Sequence, residues 1–155
     1  MIRLTQLVGQ RVLTREGSQL VGAVHRVLLD PGRGMIIAAQ LQAPVGGHSI
    51  LDWAIVESVG RDGVVVSEAR TREPEGEREQ QLIDGRLELF GKSVLTEDGT
   101  ALGEIEDIEL DEVSGRVVRL HLPDQVLPLG RFVAVGPDVV IIAAPTASSA
   151  AASAR

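Results

Sequence analysis

The chain repeats itself, and no other feature limits its folding more. Leu7-Val8-Gly9-Gln10-Arg11-Val12-Leu13-Thr14 returns as Leu89-Phe90-Gly91-Lys92-Ser93-Val94-Leu95-Thr96. Glu16-Gly17 returns as Asp98-Gly99, and Leu20 as Leu102. One extra residue, Val21, shifts the register; Gly22-Ala23-Val24 then falls on Gly103-Glu104-Ile105, and Val27, Leu29 and Asp30 on Ile108, Leu110 and Asp111. Further on, Ile36-Ile37 matches Val117-Val118, Ile50-Leu51 matches Val126-Leu127, and Val64-Val65-Val66 matches Val139-Val140-Ile141. Each copy must therefore fold as one small unit, and the two folds must be alike.

Within the second copy the apolar residues come in short runs separated by turn residues. Lys92 to Thr96 reads as a strand, and Glu97-Asp98-Gly99-Thr100 as a hairpin turn. Leu102 to Leu110 follows, with apolar residues at Leu102, Ile105, Ile108 and Leu110. That spacing is neither alternating nor helical, so it predicts one bent or bulged strand. Arg116 to Leu122 predicts a third strand with Val118, Leu120 and Leu122 on one face, and Val126 to Leu129 a short fourth. Phe132 to Val135 and Val139 to Ile142 predict a closing hairpin. Asp30 and Asp111 stand where turns begin, a position suited to a bond from side chain to backbone. Trp53 aligns with Leu129, which predicts core or inter-unit packing.

Composition agrees with an all-β reading. Hydrophobic residues make up 44% of the chain and aromatic ones only 2%, so the core must come from Val, Leu, Ile and Ala. The β-branched members of that set favour strands. Five or six short strands per copy close most economically into small barrels, which leave few edges exposed. The expected organisation is a barrel over 1–69, a charged linker over 70–88, a barrel over 89–143 and a disordered tail over 144–155. Within the linker, 77–83 is expected to form one or two helical turns, packed lightly through Leu82 and Ile83.

This arrangement resembles the PRC-barrel family, named for the H subunit of the photosynthetic reaction centre. Leu-x-Gly-x-x-Val at 7–12 and 89–94 carries the likeness, with Gly22 and Gly103, the run Ile105-x-Asp107-Ile108-x-Leu110-Asp111, Gly115-Arg116-Val117-Val118, and Leu127-Pro128 ahead of Val133-x-Val135-Gly136. The resemblance implies a docking module. Family members include the reaction-centre subunit, a ribosome-maturation factor that binds a small-subunit protein, and proteins beside magnesium-transporter modules or cell-division adaptors. It therefore implies a non-enzymatic adaptor or regulatory protein-binding role, with a cation or small-ligand sensor and a ribosome-maturation or RNA-processing accessory as alternatives. Unlike the H subunit, this sequence holds no apolar run near the roughly 20 residues that span a bilayer, and its first residues have no signal-peptide pattern. A cytoplasmic protein is expected.

The charge is −7, which disfavours nucleic acid as a partner. Residues 1–70 carry 7 basic and 6 acidic side chains; residues 71–155 carry 8 and 16. The copies have thus diverged on their surfaces. There are no cysteines, so thiol chemistry is excluded. The histidines His25, His48 and His121 do not recur between copies and build no triad, so no catalytic residue and no cofactor is expected. The acidic run offers Glu104, Glu106, Asp107, Glu109, Asp111 and Glu112. Same-face residues of a strand lie about 6–7 Å apart, too far to converge on one ion, and no metal site is expected. Where Glu104, Glu106, Asp107 and Glu109 stand, the first copy has Ala23, His25, Arg26 and Leu28. Those four carboxylates belong to one copy's surface and are the expected dock for a basic segment of another protein. Exposed strand edges also allow a homodimer.

Overall fold

The computed structural model describes residues 1–16, 19–44, 46–85 and 88–144; the tail over 145–155 lies outside them. The chain opens with a two-residue strand, β1 (Ile2–Arg3), and a single helical turn, α1 (Leu4–Leu7). The first copy continues with β2 (Arg11–Thr14), β3 (Leu20–Asp30), β4 (Met35–Gln42), β5 (His48–Asp52), a 3-10 turn (Trp53–Ile55), β6 (Val56–Val59) and β7 (Val64–Val66). These six strands form one curled sheet in the order β5-β4-β3-β2-β7-β6. All neighbours run antiparallel except β2 and β7, which are parallel and in register at Val12 and Val64.

After α2 (Gly76–Ile83) the second copy supplies β8 (Ser93–Thr96), β9 (Ala101–Glu104), β10 (Asp107–Leu110), β11 (Val117–His121), β12 (Val126–Pro128), β13 (Arg131–Val135) and β14 (Val139–Ala143). The parallel pair returns, with Val94 opposite Val140. The sheet is divided, however, into β13-β14-β8-β9 and β1-β10-β11-β12. The expected single strand from Leu102 to Leu110 is therefore two strands. In the first copy β4 reaches Gln42 and pairs with Ala23, which keeps β3 continuous. In the second copy the last such bond joins the Glu106 N–H to the His121 carbonyl, and the chain turns back where Leu122 N–H meets the Gln125 carbonyl. With no strand alongside, the segment at Ile105–Glu106 leaves the ladder.

The irregular apolar spacing has its cause in bulges. The register between β3 and β4 shifts twice, at Val24/Arg26 and Leu28/Leu29; the shift between β10 and β11 at Glu109/Leu110 is the counterpart of the second. A bulge reverses which face the next residue takes. Hence Val117, Leu120 and Leu122 are buried, while Val118, expected inside, is half-buried. Both turn aspartates act as read from the sequence. Asp30 Oδ1 accepts from the Gly32 N–H at 2.9 Å, and Asp111 Oδ1 from the Val113 N–H at 2.8 Å.

The two copies share their interior. Leu7, Leu41, Leu51 and Val64 of the first are continuous with Val94, Ile105, Leu120 and Ile142 of the second in one hydrophobic cluster. The join is reciprocal. β1, which leads into the first copy, pairs with β10 of the second, Ile2 opposite Leu110. α2, which leads into the second copy, lies on β3 of the first. The β3–β4 turn and its counterpart also exchange backbone bonds: Ile36 N–H to the Gly115 carbonyl and Val117 N–H to the Gly34 carbonyl, each 2.9 Å. Trp53 covers this junction, packed so close to Gly115 that a Cβ there would lie 2.9 Å from the indole Nε1. Neither α1 nor the pairing of β1 with the other copy follows from local pattern, because both depend on contacts between residues about a hundred positions apart. No helix among the described residues is long and apolar enough to cross a membrane.

Candidate partner-binding surface

The acidic run of the second copy does not present a single face. Glu104 closes β9 and is exposed; Glu106 follows in the gap before β10 and is also exposed. Neither forms an ion pair among the described residues. Asp107 is turned inward and buried. Its Oδ2 accepts the Thr5 hydroxyl at 2.6 Å, and its Oδ1 accepts the Thr5 and Ile108 N–H groups at 3.3 and 2.8 Å. Thr5 belongs to α1, so Asp107 fixes the arm of the first copy onto the second. Glu109 is half-buried between Arg119, which it pairs with, and His121 Nε2 at 3.1 Å. Burial works against its charge, but the bonds from His121 and Arg119 prevail and hold its carboxyl below the ordinary value.

Of the four carboxylates expected to face a partner, then, two are occupied inside the chain. The split follows the alternation of an extended chain, which turns Glu104 and Glu106 outward and Ile105 and Asp107 inward. The surface that remains is the β9 edge with Glu104 and Glu106. Leu102 is partly exposed within it, and its carbonyl accepts from the Gln125 amide at 3.3 Å. β9 pairs with β8 on one side and, among the described residues, with no strand on the other. Among the described residues no three His, Asp or Glu side chains converge as metal ligands. His25 and His48 are exposed and stack on each other at 4.5 Å.

A second feature lies in the segment expected to be a lightly packed linker. Arg72 sits between Asp52 at 2.8 Å and Glu79 at 2.6 Å. Its N–H and carbonyl pair with those of Ile50, at 2.9 and 2.7 Å, on the outer edge of β5. Arg78 reaches Asp30 at 2.6 Å. Leu82 is buried in a small apolar cluster of its own with Leu28, Ala38 and Ile50, separate from the main core. The Arg72 guanidinium lowers the titration of both Asp52 and Glu79. At Asp30 burial opposes the charge, but the bonds from Arg78 and the Gly32 amide outweigh it. A signal for this covering was present in the repeat. Leu28 and Ala38 are apolar where the second copy has Glu109 and Arg119, and Ile50 aligns with Val126, so the apolar outer patch is continuous in the first copy and broken by charge in the second.

The model of the PRC-barrel domain family matches the chain twice, over residues 1–71 and 86–148. No curated protein matches the chain.

Proposed function

The chain belongs to the PRC-barrel family, carrying two copies of its domain, and from that premise we propose that it is a non-catalytic, cytoplasmic adaptor or regulatory module that binds another protein. The observation that carries this reading is the surface divergence of two copies with a common core. Exposed, unpaired Glu104 and Glu106 stand beside a half-open strand, where the first copy has Ala23 and His25. A basic, extended segment suits that surface: its backbone adds to β9 and its cations meet the two carboxylates. The gain from such rim charges is mainly in association rate and in choice of partner.

The test is capture of cross-linked partners by the full chain from its own cells, beside the double variant Glu104→Lys/Glu106→Lys. A specific partner should be retained at low salt, released as ionic strength rises, and lost in the double variant. Equal retention by both chains would remove the acidic edge as the site. The absence of any saturable partner would remove the adaptor reading itself.

A further inference from the structure

We infer that residues 70–85 form a displaceable strap over a second docking surface, on the outer face and edge of the first copy, and that this surface takes an arginine-bearing segment running from extended chain into an amphipathic helix. The inference rests on the protein-binding role proposed above, but on a different surface.

The strap shows what the surface accepts. Its extended part adds one backbone pair to the free edge of β5, at Ile50. Its arginines answer Asp52 and Asp30, two carboxylates of the first copy whose only ion-pair partners among the described residues are Arg72 and Arg78. Its helix contributes one buried side chain, Leu82, over Leu28, Ala38 and Ile50, with Ile83 partly buried beside it. Once the strap lifts, an apolar patch flanked by two unpaired carboxylates and an open strand edge remains. That combination selects a ligand with an arginine or lysine ahead of a leucine-bearing helical turn.

The strap is also held in a way that permits release. A helix of eight residues has little stability of its own. Both arginines stay partly exposed within their ion pairs, which limits what each pair contributes, and Leu82 is the helix's one buried residue. Glycines with positive φ, Gly76 at 76° and Gly85 at 78°, bracket the helix and allow it to swing as a body. The equivalent face of the second copy carries the Glu109–Arg119 pair in place of an apolar patch.

Two measurements decide the matter. The first is amide hydrogen exchange on the full chain. Residues 76–83 and Ile50 should exchange roughly a hundredfold or more faster than the centre of β3, by opening that leaves the barrels folded. Equal protection would make α2 part of the global fold and overturn the strap. The second is binding of a fluorescent synthetic peptide with the sequence of residues 70–85. Its affinity for the Leu82→Ser chain should exceed that for the unaltered chain roughly tenfold, since the competing strap is weakened. Adding Asp30→Asn and Asp52→Asn should cancel the gain, whereas Glu104→Lys/Glu106→Lys should leave it intact. No difference between the two chains overturns the inference. Should Leu82→Ser fail to fold, the exchange rates of the unaltered chain decide alone. A cellular partner lost with Glu104→Lys/Glu106→Lys, with no peptide bound under the strap, would overturn this inference and keep the adaptor reading.

Discussion

Leu28, Ala38 and Ile50 lie at the same places in the first copy as Glu109, Arg119 and Val126 in the second. The strand pairings are equivalent, Leu28 opposite Ala38 and Glu109 opposite Arg119. One set is buried to within 1% of full burial; Val126 is 49% exposed and Glu109 and Arg119 form an ion pair. A sheet has two faces, and the inner one is bound by the common core. The outer one is free to follow whatever covers it. α2 covers it in the first copy, and the residues there are apolar; in the second copy the positions of Leu28 and Ala38 hold the charged pair Glu109 and Arg119. Duplicated units thus keep their inner positions and diverge where their surroundings differ.

Exchanging the two outer faces breaks this comparison most sharply. Leu28→Glu places a carboxylate under Leu82, and the cost should be about 3–5 kcal/mol in urea unfolding. Glu109→Leu with Arg119→Ala should cost under about 1 kcal/mol. A small effect of Leu28→Glu would mean that α2 is already detached. Next come the two glycines at the reciprocal turns. Gly115→Ala faces both a φ of 75° and the Trp53 indole, so we expect about 3 kcal/mol or more. Gly34→Ala faces a φ of 66° with open space around it, for about 1–2 kcal/mol. Equal losses would show that Trp53 yields without cost. The arms give a third pair. Asp107→Ala strands the Thr5 hydroxyl and amide and should cost about 2 kcal/mol. Arg26→Ala removes only the exposed contact to Glu88 and should cost at most about 0.5 kcal/mol by thermal unfolding.

The mildest test is acid. Asp30, Asp52 and Glu79 all titrate below their ordinary values in the folded chain. Their stabilising effect is complete above about pH 4–5, where the unfolded groups are ionised, and fades as pH falls through the depressed values. Protection of the α2 amides should therefore decline toward pH 3 in an NMR titration, before that of the centre of β3. Protection lost already above pH 5 would contradict the ionic clamp.

Much of the fold is legible in local sequence pattern. The repeat, the Asp-Gly turn, the closing hairpin and the helical turns at 77–83 depend on neighbours or on a period of two, and such signals survive in a single sequence. The division of Leu102–Leu110 did not, since it arises from where β11 stops. The acidic run illustrates the same limit. Glu104 and Glu106 lie on the surface as expected, but Asp107 and Glu109 do not, because Thr5, Arg119 and His121 approach them from other segments.

The amino-acid sequence by itself determined that two like β units exist, which residues line their interiors, and that their surfaces differ. Those facts follow from local pattern and from comparison of one copy with the other. Only the tertiary structure decided that the units share one core, that each lead-in segment lies across the opposite unit, and which carboxylates stay free. These are consequences of packing between residues far apart in the chain, and no local pattern records them. Reciprocal contacts of that kind are decided by shape and burial once the sheets have curled, which is why Trp53 finds Gly115 and Thr5 finds Asp107.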